Sequence, residues 1–355
     1  MPHCGKALLL TNLLCSDAWF GGSRMQLGQL KRREFITLLG GATAWPLVAQ
    51  AQQAGKQWRI GMLETISAAA NAANLNALRK GLRDLGYVEG NNFIIEYRSA
   101  EGADDRFPDL ATELIRRDVD LIITRGTLAA IAAKHATATI PIVMAASGNP
   151  VATGLVASLA RPGGNVTGLS AIVIDLQAKR IELLKDMIPS LRRVASMLDM
   201  GNPATQPAWK EIEEASHSLG LENHLFDVRK PADIEPAFDS AAAQQVEAIY
   251  VNIDPVTLVS RGLIVELAIK RRLPTMYASK EFVETGGLIS YGVSYPALYR
   301  QAAAYIDKIF KGARPADLPV EQPTQFELVV NLKTARIIGL TFPQSIFLRA
   351  DEVVE

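Results

Sequence analysis

The stretch Ala145–Ser170, AASGNPVATGLVASLARPGGNVTGLS, decides how the rest of this chain is arranged. It begins where a short apolar run ends, Ile140–Met144, which is typical of a buried strand. Ser147-Gly-Asn-Pro150 comes next, at the strand's carboxyl end, where open α/β sheets bind ligands. We predict a short apolar helix over Val151–Leu159, ended by the backbone-altering residues of Arg161-Pro-Gly-Gly-Asn165. The stretch therefore predicts a ligand loop and the first connection between two lobes.

Strands and helices alternate on both sides of this stretch. Before it, the spacing of apolar residues predicts strands and helices in turn, at residues 58–63, 71–85, 93–97, 104–117, 119–123 and 127–135. After it, the alternation continues from a helix capped by Asp175 to a last strand, Phe326–Val330, and a short helix opened by Asn331. This order is typical of parallel sheets joined by right-handed crossovers, so the predicted fold class is α/β.

Residues 1–51 predict an export signal rather than a part of the fold. The arginine pair in Lys31-Arg-Arg33 precedes an apolar run, Thr37–Val48, and Ala49-Gln-Ala51 has the small residues of a cleavage site. The pair is typical of the twin-arginine route. The apolar run is shorter than the roughly 20 residues that a membrane anchor requires. We therefore predict an upstream extension plus a twin-arginine-type signal, cleaved near Ala51-Gln52.

The composition excludes several classes of function. Five of the 37 Lys and Arg residues and two of the 37 Asp and Glu residues precede Gln52, so the net charge from there on is −3. That balance lacks the basic surface of a nucleic-acid-binding protein, and we expect no nucleic-acid partner. Both cysteines, Cys4 and Cys15, also precede Gln52. Thiol catalysis, disulfides and thiolate metal sites are therefore excluded after that residue.

Catalytic sequence motifs are absent as well. The chain contains no G-x-S-x-G nucleophile elbow, no G-x-x-x-x-G-K phosphate loop, no H-E-x-x-H zinc motif and no G-x-G-x-x-G dinucleotide motif. The histidines are scattered along the sequence. We therefore expect a protein that is not an enzyme and that needs neither a cofactor nor a metal.

Donors for an anionic group follow two of the predicted strands. Gly126-Thr127 and Ser147-Gly148-Asn149 each follow a strand and precede a predicted helix. Hydroxyl groups and the free N–H groups of a helix N-terminus suit a ligand carboxylate. The alternative is that Thr127 and Asn149 are ordinary helix N-caps, because caps and ligand donors share this location.

Candidate acceptors for an ammonium group also follow strands. Asp254 and Glu64 supply carboxylates there, with a solvated loop charge as the alternative for both. Tyr291 is a candidate to stack on an aromatic ring, whereas for Tyr277 we favour simple packing. The complete set of predicted ligand-binding residues is Glu64, Ser67, Gly126, Thr127, Ser147, Gly148, Asn149, Asn202, Asn252, Asp254, Ser279 and Tyr291.

Several stretches together carry a resemblance to a known family: Gly86–Gly90, Glu96–Arg98, Ile140–Val143, Leu159–Gly168, Glu281–Gly287, Tyr291-Gly292, Asp317–Pro323 and Asn331–Thr334. The sequence resembles the periplasmic solute-binding proteins of ABC transporters that have the type I fold with three crossovers. It is most similar to a branch of ABC transport system substrate-binding proteins whose best-known relatives bind aromatic amino acids. The resemblance runs from Trp58 to the C-terminus, and the branch does not normally carry an extension like residues 1–24.

The resemblance implies two Rossmann-like lobes with parallel sheets, joined by three crossover hinge segments that let the lobes close over a ligand. The implied N-terminal lobe takes residues 57–168 with 288–319, and the C-terminal lobe takes 169–287 with 320–345. The implied crossings lie near Val166–Leu169, Ser279–Leu288 and Pro319–Gln325.

The resemblance also implies a function. The chain is expected to capture an amino acid or a similar small organic molecule in the periplasm and to deliver it to an ABC permease with its ATPase subunit. We expect a monomer that meets the membrane only through the permease. Two alternatives stay open: a ligand-sensing domain of a membrane receptor, which shares the fold, and a secreted α/β enzyme, against which the missing motifs argue.

Overall fold

The computed structural model describes residues 56–171 and 176–355, which form two α/β lobes. The predicted export signal and the predicted cap Asp175 lie outside those residues. Among the described residues, no helix combines the length and the hydrophobicity that a membrane span requires.

The first sheet contains five parallel strands in the order β2-β1-β3-β4-β5. Its strands are β1 (Trp58–Glu64), β2 (Phe93–Ser99), β3 (Leu121–Arg125), β4 (Ile142–Ser147) and β5 (Val166–Ser170). The helices between them are α1 (Ala72–Asp84), α2 (Phe107–Arg116) and α3 (Thr127–Ala136). Every residue of β3, β4 and β5 is buried, as expected for parallel strands covered on both faces.

The second sheet has the order β12-β11-β10-β9-β8-β6-β7. Its strands are β6 (Arg193–Leu198), β7 (Glu222–Asp227), β8 (Ala248–Val251), β9 (Thr275–Tyr277), β10 (Ile289–Val293), β11 (Phe326–Asn331) and β12 (Glu352–Val354). The remaining helices are α4 (Leu176–Met187), α5 (Thr205–Ser218), α6 (Ile234–Ala243), α7 (Pro255–Val259), α8 (Arg261–Lys270), α9 (Lys280–Glu284), α10 (Tyr295–Phe310), α11 (Leu332–Ile338) and α12 (Gln344–Phe347). The α/β class with parallel sheets is confirmed, with β10–β11 as an antiparallel pair.

The apolar runs of the strands reflect cores on both faces of each sheet. In β8, Ala248 and Tyr250 pack in one apolar cluster, whereas Ile249 and Val251 pack in another. Successive side chains of a strand point to opposite faces. A strand covered on both faces therefore needs apolar residues at every position, which is the pattern that the sequence shows here.

Helix α10 follows β10 of the second sheet but packs on the first lobe. It shares an apolar cluster with Leu75 and Leu78 of α1. Gly81 allows the two helices to approach closely, because a Cβ there would lie 2.7 Å from the carbonyl oxygen of Arg300. The ring of Phe310 stacks on Trp58 with 4.0 Å between ring centroids. The chain thus returns to the first lobe through α10.

The second connection between the lobes differs from the implied one. Ser279–Leu288 was expected to cross between the lobes, but it joins β9 to β10, which pair in parallel within the second sheet. β10 is also paired with β11, so the implied boundary at residue 288 is corrected: this strand belongs with the second sheet. The chain passes to the first lobe at Ser294, the N-cap of α10.

Two local predictions are also corrected. Residues 151–159 form turns rather than a helix, because Gly154 has a φ of +71°. The side chain of Asn149 accepts the N–H of Ala152 as a helix N-cap would, but a left-handed residue interrupts the helix soon after it. Phe326–Val330 is not the last strand, because β12 pairs in parallel with β11 and extends the second lobe past residue 345.

Candidate ligand-binding site

A cavity lies between the two lobes, where strands of both sheets end. Strands β3 and β4 lead to it from the first sheet and β8 from the second, so it occupies the edge where parallel sheets bind ligands. The predicted residues that line it are Gly126, Thr127, Ser147, Gly148, Asn149, Asn202, Asn252 and Asp254.

The other predicted residues, Glu64, Ser67, Ser279 and Tyr291, lie outside this cavity. The hydroxyl of Ser67 accepts a backbone N–H three residues later at 3.2 Å. Ser279 is the N-cap of α9 and accepts the N–H two residues later. The ring of Tyr291 packs 6.1 Å from that of Phe326. These side chains are used in local structure.

Tyr277 packs within the second lobe, as we favoured. It is fully buried, and its ring stacks on Phe282 with 4.8 Å between centroids.

Glu64 is fully buried at the end of β1 rather than exposed to a ligand. The hydroxyl of Tyr299 donates to its Oε1 at 2.6 Å, and its Oε2 has no hydrogen-bond partner among the described residues. Burial raises the pKa of Glu64 to about 7, against the lowering effects of Arg125 and of the Tyr299 hydrogen bond. A carboxyl group in this position titrates near neutral pH.

The start of α3 brings the two predicted donor loops together. Gly126, with a φ of +87°, is the N-cap of the helix. The hydroxyl of Thr127 is therefore not the cap, and it accepts the N–H of Gly148 at 3.0 Å. The hydroxyl of Ser147 donates to the carbonyl of Gly148 at 3.1 Å. The hydrogen bond between Thr127 and Gly148 holds the first turn of α3 at the cavity, where the free N–H groups of that turn favour an anion.

Asp254 is the centre of a polar network on the second lobe. The amides of Asn202 and Asn252 donate to its two oxygens at 3.0 and 2.9 Å, and the backbone N–H of Asp199 donates at 3.3 Å. Burial raises the pKa of Asp254 to about 6 in spite of these donors. Both oxygens are already engaged, so Asp254 orients the two asparagine side chains that line the cavity.

Two buried arginines at the cavity were not predicted. Arg125 ends β3 and Arg180 lies on α4, with 3% and 4% of their surface exposed. A sequence signal for Arg180 exists: it lies four residues after Leu176 and four before Leu184, on the apolar stripe of the helix. The signal for Arg125 is its place directly after the buried run of β3.

Arg125 is paired across the cleft with Glu281 of α9. Its Nη2 lies 2.6 Å from Glu281 Oε2, and its guanidinium carbon lies 4.5 Å from the ring centroid of Tyr295. Burial alone would raise the pKa of Glu281, but Arg125 and a hydrogen bond from Ser279 outweigh it and hold the pKa below its usual value. The amide of Asn74 also donates to Glu281, at 3.3 Å.

Apolar contacts also join the two lobes. Ile66, in the loop after β1, is 1% exposed and packs in an apolar cluster of the second lobe with Met197 and Val251. Gly102 lies so close to Val259 of α7 that an added Cβ would be 2.4 Å from the Val259 side chain. The lobes therefore meet along a packed contact in this structure.

Two carboxyl groups, Asp104 of the first lobe and Asp199 of the second, interact across the same contact. Burial and then Asp199 of the second lobe raise the pKa of Asp104 of the first lobe to about 7. The pKa of Asp199 is also raised, chiefly by burial.

The cavity combines these polar groups with an apolar surface. Apolar side chains that line it include Phe107, Leu128, Leu176, Pro207 and Leu258. Within residues 56–171 and 176–355, no three His, Cys, Asp or Glu side chains are placed to hold a metal ion. The arrangement suits a small organic molecule that has both a charged group and an apolar part.

Two relatives of this chain have an amino-acid ligand in their names. A tyrosine-binding protein of Clostridioides difficile strain R20291 is 26% identical over 291 residues, which cover 80% of this chain and 82% of that protein. An ABC domain from Streptococcus pneumonia in complex with L-Trp is 26% identical with a TM-score of 0.78, and the match covers 84% of this chain and 100% of that chain.

A second solved structure is the ligand-free, open form of a Clostridium difficile substrate-binding protein with adhesive properties. It is 25% identical with a TM-score of 0.60, over 84% of this chain and 99% of that chain. These relatives have the type I periplasmic-binding-protein fold that the sequence implies for this chain. The family model for ABC transporter substrate binding proteins matches residues 59–354. The chain therefore belongs to the ABC transporter substrate binding protein family.

Proposed function

We propose that this protein binds an amino acid with an aromatic side chain between its lobes and delivers it to an ABC permease. The observation that carries the proposal is the interlobe cavity, which joins a helix N-terminus and buried polar side chains to an apolar surface. The tyrosine and L-Trp ligands of its relatives support the aromatic class. Such a ligand has a carboxylate, which suits the N-terminus of α3, and a ring, which suits the apolar lining of the cavity.

The described arrangement of the lobes corresponds to the closed state in this proposal. The two solved relatives are about equally similar in sequence, but the TM-score is 0.78 with the L-Trp complex and 0.60 with the ligand-free, open structure. The buried Arg125–Glu281 ion pair and the packing of Ile66 support the same state. Ligand binding would then select the closed state because only that state contacts the ligand from both lobes.

The proposed ligand contacts come from both sides of the cavity. On the first lobe they are the α3 N-terminus with Thr127, and the loop Ser147–Asn149. On the second lobe they are Asn202, Asn252 and Asp254. Because Asp254 already holds both asparagine amides, we propose that it acts on the ligand mainly by orienting them.

Binding of L-tyrosine, L-tryptophan and L-phenylalanine by the purified protein tests this function, with L-leucine and myo-inositol as controls. A ligand that binds only the folded state raises the unfolding free energy, by about 2.7 kcal/mol at one hundred times its Kd. We expect the aromatic amino acids to raise the thermal midpoint and to reduce the radius of gyration in solution scattering. Stabilisation by myo-inositol and by none of the amino acids would contradict the proposal.

We also propose export to the periplasm through the signal in residues 1–51, and action there as a monomer. Changing Arg32 and Arg33 to Lys together is expected to retain the protein in the cytoplasm, because the twin-arginine route requires the pair. Mass spectrometry of the exported protein should find an N-terminus near Gln52. An exported protein that still carries Cys15 would contradict the cleavage.

A further inference from the structure

We infer that Arg180 binds the carboxylate of the ligand and so determines which ligands the cleft accepts. The inference deepens the proposed function and rests on it. It does not follow from the motifs of the sequence, in which Arg180 is one charge on a largely apolar helix stripe. It follows from the surroundings of the Arg180 guanidinium in the structure.

The hydrogen bonds of Arg180 leave a donor available. A guanidinium has five N–H groups. The acceptors that Arg180 reaches are the Tyr291 carbonyl from Nε at 2.7 Å, Gln177 Oε1 and Tyr250 Oη from Nη1 at 3.0 and 3.2 Å, and the Ala278 carbonyl from Nη2 at 3.4 Å. The bond from Nη2 is long, and the second hydrogen of Nη2 is not used by these four contacts. Arg180 lines the cavity, and the proposal assigns this hydrogen to a ligand there.

Arg180 makes no hydrogen bond to a carboxylate within the described residues, although Asp254 lines the same cavity. All four of its acceptors are uncharged, although only 4% of its surface is exposed. A buried charge without a counter-ion is costly, and proteins pair such groups or place them at sites of function. Arg125, equally buried, has the carboxylate of Glu281 at 2.6 Å. The cavity that Arg180 lines is therefore a place where a counter-ion can approach it.

The ligand group that fits is a carboxylate rather than an ammonium. The guanidinium is held in place by Tyr291, Gln177 and Tyr250, so binding an anion requires little reordering of the side chain. Charge-assisted hydrogen bonds from Arg to a carboxylate are stronger than neutral ones. The N-terminus of α3 on the opposite lobe also favours an anion. An ammonium group near Arg180 would be repelled.

The test compares L-tyrosine with L-tyrosinamide, in which a neutral carboxamide replaces the carboxylate. Wild-type protein should bind L-tyrosine at least about 30-fold more tightly, which is the lower range for losing one partner of a buried charge pair. In Arg180→Gln the affinity for L-tyrosine should fall to near that for L-tyrosinamide. The ratio of the two affinities should then be within about threefold. Arg180→Lys, which keeps the charge but not the fork, should be intermediate.

The control is Arg193→Gln, at the start of β6, whose guanidinium donates to the carbonyl of Gln245 and does not line the cavity. It should keep the wild-type preference for L-tyrosine. A purely structural role of Arg180 would weaken both ligands equally, so an unchanged preference in Arg180→Gln overturns the inference. If that variant does not fold, a wild-type protein that fails to distinguish L-tyrosine from its amide overturns it as well. Failure of the wild type to bind any aromatic amino acid would overturn the proposed function itself, and the inference with it.

Discussion

The regions around Arg125 and Arg180 place the same side chain, similarly buried, in different electrostatic surroundings. Arg125 has Glu281 of the other lobe at 2.6 Å and the buried Glu64 nearby. Arg180 has only carbonyl, amide and hydroxyl acceptors among the described residues. Burial alone therefore does not say what a charge does. A paired charge holds two parts of the protein together, whereas an unpaired one is available to a ligand.

The largest expected effect is from Arg125→Met. It leaves Glu281 without its counter-ion in a half-buried position, and we expect the unfolding free energy to fall by about 3 kcal/mol in urea denaturation. The double variant Arg125→Met/Glu281→Met should recover most of this loss, because it removes both buried charges. Arg79→Met, which breaks the exposed pair with Glu89, is the control and should change stability by at most about 1 kcal/mol. Equal losses in the single and double variants would show that the loss does not come from the unpaired charge of Glu281.

Glu64→Gln tests the second carboxyl group near Arg125. Because the folded pKa of Glu64 is raised from 4.5 to about 7, the folded protein binds more protons than the unfolded chain in that window. Its contribution to stability is therefore complete below pH 4.5 and is lost as the pH rises through 7. Gln can still accept from Tyr299, so the variant should lose on the order of 3 kcal/mol of this pH dependence.

Urea denaturation between pH 4.5 and 8 measures this difference against the wild type, because Asp104 and Asp254 have raised pKa values too and contribute in the same direction. Glu222→Gln, on an exposed strand position, is the control. Parallel pH profiles of Glu64→Gln and the wild type would mean that Glu64 stays ionised throughout, with Arg125 as its partner.

Asp254→Ala tests the network on the side of Arg180. It removes the acceptor of the Asn202 and Asn252 amides, so these side chains lose their orientation at the cavity. We expect calorimetry to show an affinity for L-tyrosine at least about 30-fold lower, or about 2 kcal/mol. Since Asp254 is only 3% exposed, some stability should be lost with it. Asp239→Ala, which breaks an exposed pair with Arg271, should leave the affinity unchanged. An unchanged affinity in Asp254→Ala would place the ligand elsewhere.

The smallest expected effect is from Tyr250→Phe. The hydroxyl of Tyr250 has one hydrogen and two acceptors within reach, Gln177 Oε1 at 2.6 Å and Asn252 Oδ1 at 3.0 Å, and it accepts from Arg180. Its loss should cost about 1 kcal/mol of stability and a few-fold of ligand affinity, because the groups on both sides become less well held. Tyr305→Phe removes a hydroxyl that donates to the Pro319 carbonyl at 2.7 Å, and it should change stability alone. If the two variants changed the affinity equally, the Tyr250 hydroxyl would have no specific role in holding Arg180 and Asn252 at the ligand.

Much of the fold could be predicted because it depends on short-range patterns. The buried run of β4 identified a strand covered on both faces. The side chain of Asn331 caps α11 by accepting the N–H of Thr334 at 3.0 Å, as predicted, and Gly86, with a φ of +90°, follows the C-cap of α1. The position of β10 could not be predicted in this way. Its apolar run is compatible with either sheet, and only its pairing with β9 and β11 decides between them.

Some residues of the candidate site could likewise be predicted from the sequence, and others could not. Thr127, Ser147 and Asp254 could be found because each follows the end of a strand, and parallel strands bring such ends to one edge. Glu64 meets the same criterion, yet it lies outside the cavity beneath Tyr299. Glu281 was not singled out, because nothing near it in sequence reveals that it pairs with a residue 156 positions away.

The sequence by itself determined the elements, their alternation and the family, because each of these depends on residues within one helix, strand or motif. Only the tertiary structure decided the charges of the cleft. Arg125 forms a contact between the lobes because the fold places Glu281 of α9 beside it. Arg180 is a candidate ligand contact because its hydrogen bonds to the described residues all reach neutral acceptors. Electrostatic energy falls with distance in space and not with distance along the chain, so the fold must be known before the role of a charge can be assigned.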